Sequence, residues 1–180
     1  MKLQTAMLAA GCFWCVEAIF QRIKGVISVT PGYSGGMIPN PTYEEVSTGE
    51  TGHAETAEIK FDSNVISYKD LLWIFFLTHD PTTLNQQGGD VGMQYRSAIF
   101  FMNEEQKLEA EEVKAHIEAE RIYKDPIVTE ITEFKKFYPA EDYHQNFYNH
   151  NRDYPYCRIV IDPKINKLKK EFLYKLKADN

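Results

Sequence analysis

Cysteine is scarce in this chain. Its 180 residues hold three, Cys12, Cys15 and Cys157, too few and too odd in number for a secreted disulfide framework, and a reducing, cytoplasmic setting is expected instead. Long hydrophobic runs are missing as well: nothing approaches the ~18 consecutive apolar residues of a transmembrane helix. Residues 1–11 offer Lys2 and then a short apolar stretch broken by Gln4 and Thr5. That is less than the core of a secretory signal requires, and it counts against reading "LAAGC" as a lipoprotein cleavage site. Positive charge is not in excess, since the formal net charge is −6 and the pI near 5.4. Such a balance gives no general attraction to nucleic acid or to anionic lipid, and neither is expected as a partner. Repeats, low-complexity tracts and interdomain linkers are absent too. One domain over residues 1–180 is expected, with a core of about 3–133 and an aromatic-rich tail and C-terminal helix over 134–178.

What is present is a clear alternation of apolar patterns. "TAMLAAG" reads as a short buried strand, and in "FWCVEAIFQRI" Val16, Ile19, Phe20 and Ile23 follow the spacing of a helix that begins near Cys12. "GVISVTPGY" reads as a strand ending in a Pro-Gly turn, and "SGGMIPNPTYEEVSTGETG" as a long polar loop. In "HAETAEIKFD" the residues Glu55, Ala57, Ile59 and Phe61 alternate with Thr56, Glu58 and Lys60, so a strand carries Glu55 on its apolar face. "SYKDLLWIFFLTH" is a helix capped by Ser67, with Asp70 three residues on. A second glycine-bearing loop, "DPTTLNQQGGDVGMQ", leads to the strand "YRSAIFF", a helix starts after Asn103, and "PIVTEIT" gives a fifth strand. Beyond an aromatic-rich stretch, Ile165, Leu168, Phe172 and Leu176 recur at helical spacing beneath six lysines, as in a solvated amphipathic helix. The first six elements match a split βαβ plan. The expected fold is therefore α+β, a ferredoxin-like two-layer sandwich with long functional loops and a C-terminal extension.

Three residues draw chemical interest. Cys12 falls where a strand ends and a helix starts, so free N–H groups and the positive end of the helix dipole favour its thiolate. The bland reading is a buried cysteine acting as a small hydrophobe. Cys15, within one turn of it, could form a disulfide with it or hold it reduced, and "CFWC" alone is compatible with a general thiol-disulfide oxidoreductase. A zinc site would need two further ligands, and Cys157 and the histidines supply no second Cys-x-x-Cys or His-x(3–5)-His pair; His144 and His150 miss that spacing. No metal is expected. Glu55 on a buried strand face loses solvation and tends to stay protonated, which makes it a general-acid candidate, unless it sits in water at a frayed strand start. Phe13 and Trp14 would wall such a site or simply fill the core. Asp90 in its glycine loop reads by default as a turn residue, and Tyr43 and Tyr95 as packing residues.

Taken together, "GCFWCVEAIF", "VTPGYSGG", "PTYEEVSTGETGHAE", "GGDVGMQYRS" and "AEDYHQ" closely resemble the A-type peptide methionine sulfoxide reductases, in order and spacing, from about residue 5 to residue 163. The resemblance implies that Cys12 attacks a sulfoxide sulfur and that Glu55 protonates or hydrogen-bonds its oxygen with help from Tyr43 and Tyr95. It further implies that Phe13 and Trp14 hold the methyl group, that Asp90 positions the polar part of the substrate, and that His144 adds to the substrate site. It implies methionine S-sulfoxide, free or in proteins, as substrate, thioredoxin as reductant, no cofactor and a monomer. This chain departs from the commonest motif, which has glycine at the position of Cys15, and it lacks cysteines in a glycine-rich tail. The resolving thiol stays open among Cys15, Cys157 and an outside thiol; Cys157 reads equally as a buried structural cysteine leading a "CRIVI" strand.

Overall fold

The computed structural model describes residues 1–178. In chain order the elements are β1 (Leu3–Ala10), α1 (Phe13–Phe20), β2 (Val26–Ser34), α2 (Tyr43–Ser47), β3 (Ala54–Asp62), α3 (Tyr68–Thr78), and the two-residue strands β4 (Gln86–Gln87) and β5 (Asp90–Val91). There follow β6 (Ser97–Phe101), α4 (Glu104–Ala119), β7 (Glu130–Glu133), β8 (Phe137–Pro139), α5 (Phe147–His150) and α6 (Asp162–Phe172). Six strands make one mixed sheet in the order β7-β6-β1-β3-β2-β8, antiparallel except for β6 with β7. No helix among the described residues is long and apolar enough to cross a membrane.

Alternation along β1 divides the interior. Ala6, Leu8 and Ala10 face the main core, where they join Ile59 and Phe61 of β3 and the apolar faces of α1, α3 and α4. Met7 and Ala9 point the other way, into a smaller cluster with Ala54, Ala98 and Phe100. Ser67 caps α3 as a full capping box with Asp70, and Asn103 caps α4 by accepting from the Gln106 N–H. Leu168, Phe172 and Leu176 at the C-terminal end enter the same main core, so the lysines between them face outward.

Three expectations need correction. Pro31 and Gly32 do not end β2 but lie within it. β2 begins to pair with β8 only at Gly32, so the missing N–H of Pro31 falls before that pairing, while its carbonyl accepts from the Ala140 N–H. Gly32 has no substitute there, since a Cβ would come within 2.3 Å of the Phe137 ring. "CRIVI" is not a strand: Cys157–Ile161 is a π-helical turn running straight into α6. Its buried residues Cys157 and Ile161 continue to Ile165 and Leu168, a helical period that the short apolar run conceals. The loop at 34–52 is not wholly irregular, because Thr42 and Glu45 form a capping box that starts α2.

Candidate active site

The antiparallel register of β1 and β3, with Leu8 opposite Ala57, brings the end of β1 beside the start of β3. Gly11 turns the chain out of β1 at a φ of +84°, and a Cβ there would lie 2.6 Å from the Gln87 side chain, so glycine alone fits. Cys12 then occupies the N-cap of α1, and the next N–H, that of Phe13, donates to Glu55 Oε2 at 2.9 Å. Cysteine and carboxyl are thereby locked to one helix end. A cavity of about 160 Å³ opens here, lined by Cys12, Phe13, Trp14, Tyr43, Glu55, Asp90, Tyr95 and Tyr156. The long loops and tail supply four of these: Tyr43 begins α2, Asp90 lies in the β4–β5 hairpin, Tyr95 follows it, and Tyr156 precedes the π turn.

Burial sets the protonation states. Glu55 is 2% exposed; its pKa is pushed up to about 8 by burial first, against the Phe13 N–H that favours the charge, with Asp90 and Cys15 adding to the rise. It holds its proton at neutral pH. Cys12 departs from expectation, because its thiol is pushed well up, first by burial, then by its hydrogen bond with Cys15 and the nearby Glu55 charge. The helix N-terminus does not compensate, since the nearest N–H is committed to Glu55. Cys15 moves the opposite way, to about 7, chiefly because the Cys12 thiol donates to it, with burial opposing and Lys164 and Tyr156 assisting. Charge is thus disfavoured on Cys12 and favoured on Cys15. Tyr43 and Tyr95 have raised pKa values, burial first and Glu55 second, and remain hydroxyl donors.

The wall behind the cavity is aromatic. Trp14 stacks on Phe147 with ring centres 3.7 Å apart, and Tyr154 and Tyr156 meet it edge-on. His144 does not line the cavity. It is buried behind Phe13, Trp14 and Tyr43, and its Nδ1 accepts from Trp14 Nε1 at 3.0 Å. An indole only donates, so the imidazole is neutral with its proton on Nε2, 3.4 Å from Glu141 but not aligned to bond it. Glu141 itself accepts from the Tyr33 hydroxyl and the Tyr43 N–H, which fixes the start of α2. Cys157 is buried in one cluster with Cys12 and Cys15 but does not reach the cavity, and all three thiols are free.

Tyr156 is a cavity residue that sequence reasoning missed. Its hydroxyl donates to Asp90 Oδ2 at 2.5 Å and lies 3.7 Å from Cys15 Sγ. The signal was its place beside Cys157 in an aromatic tail, which packing alone accounts for equally well. Glu17 was missed too; it is buried on α1 and accepts the N–H groups of Asn146 and Phe147, tying the tail to the helix that carries both cysteines.

This arrangement matches known proteins over its whole extent. The model of the peptide methionine sulfoxide reductase family matches residues 4–176. A peptide methionine sulfoxide reductase MsrA of Sulfolobus acidocaldarius is 58% identical over 171 residues, covering 94% of this chain and 96% of the relative. Among solved structures, reduced Mxr1 of Saccharomyces cerevisiae aligns with a TM-score of 0.79 at 33% identity, over 87% of this chain and 90% of that one. Mxr1 in complex with Trx2 aligns with a TM-score of 0.57 at 25% identity, over 81% and 85%. With the family model spanning nearly all of the sequence and a relative this similar end to end, the chain belongs to the peptide methionine sulfoxide reductase family.

Proposed function

We propose that the chain reduces methionine S-sulfoxide, free or in oxidised proteins, to methionine. One observation carries this: Cys12 and a protonated Glu55 meet in a small aromatic-walled cavity. A sulfoxide sulfur becomes electrophilic only when its oxygen is hydrogen-bonded or protonated, so the reaction needs a soft nucleophile beside an acid in a dry site. Glu55 gives its proton to the oxygen, with Tyr43 and Tyr95 donating alongside. Phe13 and Trp14 hold the methyl group, and Asp90 positions the polar part of the substrate. Cys12 passes its proton toward Cys15 and attacks the sulfur; the oxygen transfers to Cys12 as a sulfenic acid and methionine leaves as the thioether. Cys15 then attacks the Cys12 sulfur, water departs, and a thioredoxin dithiol reduces the disulfide. Cys15 leads Cys157 in this role because it shares a hydrogen bond with the Cys12 thiol and Cys157 does not. His144 acts on the substrate site through Trp14.

We further infer that β6-β1-β3-β2, with α1 and α3 as crossovers, is a split βαβ (ferredoxin-like) unit, supported by the antiparallel pairing of β1 with β3 and β6 and of β2 with β3. The chain then acts as one catalytic domain and as a monomer. Three free thiols favour a cytoplasmic setting.

The test is a single turnover without reductant. The S epimer of methionine sulfoxide should yield one methionine per chain, the R epimer none, and Cys12→Ser should yield none from either. Methionine release by Cys12→Ser would overturn the proposal, as would disulfide exchange on insulin that needs both cysteines and is indifferent to Glu55.

A further inference from the structure

A second void, much smaller than the substrate cavity, borders Cys15. Val16, Phe20, Thr78, His79 and Lys164 line it with the thiol. His79 is neutral there, its pKa pushed down to about 4 by burial, which leaves Lys164 as the cation of that wall. Lys164 also borders an open groove with Asp80, Gln87, Tyr123 and Lys167, so one side chain lines both that groove and the void beside Cys15. Among the described residues it makes no ion pair and no hydrogen bond that would hold it for another purpose.

The groups facing Cys15 change during the reaction. In the resting site the Cys12 thiol does most to favour the Cys15 charge, Lys164 and Tyr156 help, and Asp90 opposes. Once Cys12 is a sulfenic acid, that thiol proton is gone. Tyr156 has a single proton, and at 2.5 Å from Asp90 against 3.7 Å from Cys15 it belongs to the carboxylate. Cys157, the third thiol of the cluster, adds no positive charge.

We propose that Lys164 is a positioning residue for the resolving step, its ammonium holding the Cys15 sulfur in the charged, attacking form once Cys12 has become a sulfenic acid. This rests on Cys15 as the resolving thiol. In the step itself the Cys15 sulfur donates an electron pair to the Cys12 sulfur and the S–O bond breaks. The leaving hydroxide takes up the proton that Cys15 received from Cys12 and sheds on becoming the thiolate, and departs as water, so no outside oxidant or reductant is consumed until the disulfide is reduced.

In Cys12→Ser/Cys157→Ser protein Cys15 is the only thiol, and its thiolate absorbance can be followed against pH. Adding Lys164→Met should raise the midpoint by about half a unit or more, and Lys164→Arg should restore it. With all cysteines native, Lys164→Met should slow disulfide formation after one turnover by roughly threefold or more near neutral pH, with dimedone trapping more Cys12 sulfenic acid. An unmoved midpoint, or the same shift in Lys164→Arg, overturns the role of Lys164. A Cys15→Ser chain with native Lys164 separates the underlying assignment: a Cys12–Cys157 disulfide formed at the wild-type rate removes Cys15 from the step, whatever Lys164 does.

Discussion

Glu55 is held against its own solvation, and that cost is measurable. Its folded pKa of about 8 lies above the ordinary 4.5, so between those values the folded chain binds a proton that the unfolded chain has lost. Stability therefore falls as pH rises across that window and levels off above it. Glu55→Gln keeps an acceptor for the Phe13 N–H and removes the penalty. Its melting temperature should exceed wild type increasingly from pH 5 to 8, each ~1 kcal/mol appearing as about 2–4 °C in a chain of this size. Activity should move the other way. A glutamine cannot protonate the sulfoxide, so turnover should drop by about 100-fold or more; wild type should lose kcat/KM as pH rises above 8, and that decline should be absent from the variant. A decline that survives in Glu55→Gln would assign it to another group. The position of Glu55 was legible because a carboxyl at an apolar strand position is conspicuous. The charge on Cys12 was not: a helix N-terminus argues for thiolate, and only the structure shows that Glu55 takes the nearest N–H and that the sulfur is buried.

Among the elements, α1 and the tail form one device. Glu17 on α1 accepts the Asn146 N–H at 2.7 Å and the Phe147 N–H at 3.3 Å, and Phe147 in turn stacks on Trp14. Its pKa is raised to about 7, burial outweighing those two donors. Glu17→Ala should strand two backbone donors at a cost of about 1–3 kcal/mol. Hydrogen exchange at Asn146 and Phe147 should accelerate, and KM should rise as Trp14 loses its support; exchange unchanged at these two amides would show that the tail is held otherwise. The helices α3 and α4 announced themselves through caps and periodicity, since Ser67, Asp70 and Asn103 act locally. β8 and α5 did not. Three or four residues carry no period, and what makes Phe137–Pro139 a strand is the exposed edge of β2, a partner about a hundred residues away in sequence.

For the whole molecule, the question is whether residues 134–178 are an appendage or part of the folding unit. The sequence suggested a core followed by a tail because the pattern of strands stops near residue 133. Packing argues for one unit. Leu168, Phe172 and Leu176 lie in the same cluster as Ile23, Val26 and Phe61. Leu176 also pairs with Ile23 as an isolated bridge, and the Lys177 N–H donates to the Arg22 carbonyl. The last turn thus closes the far end of the helix whose near end carries Cys12. Leu176→Ala removes a buried side chain from that junction and should cost about 2–5 kcal/mol. If the chain folds as one unit, the loss lowers a single transition by roughly 5–15 °C, with far-UV circular dichroism and tryptophan fluorescence at Trp14 and Trp73 still coincident. If the tail were separate, the fluorescence of Trp14, which rests on Phe147, would change first and most of the circular dichroism would survive. The two tryptophans make the distinction sharp, because Trp73 packs against the main core and reports the sheet side of the molecule.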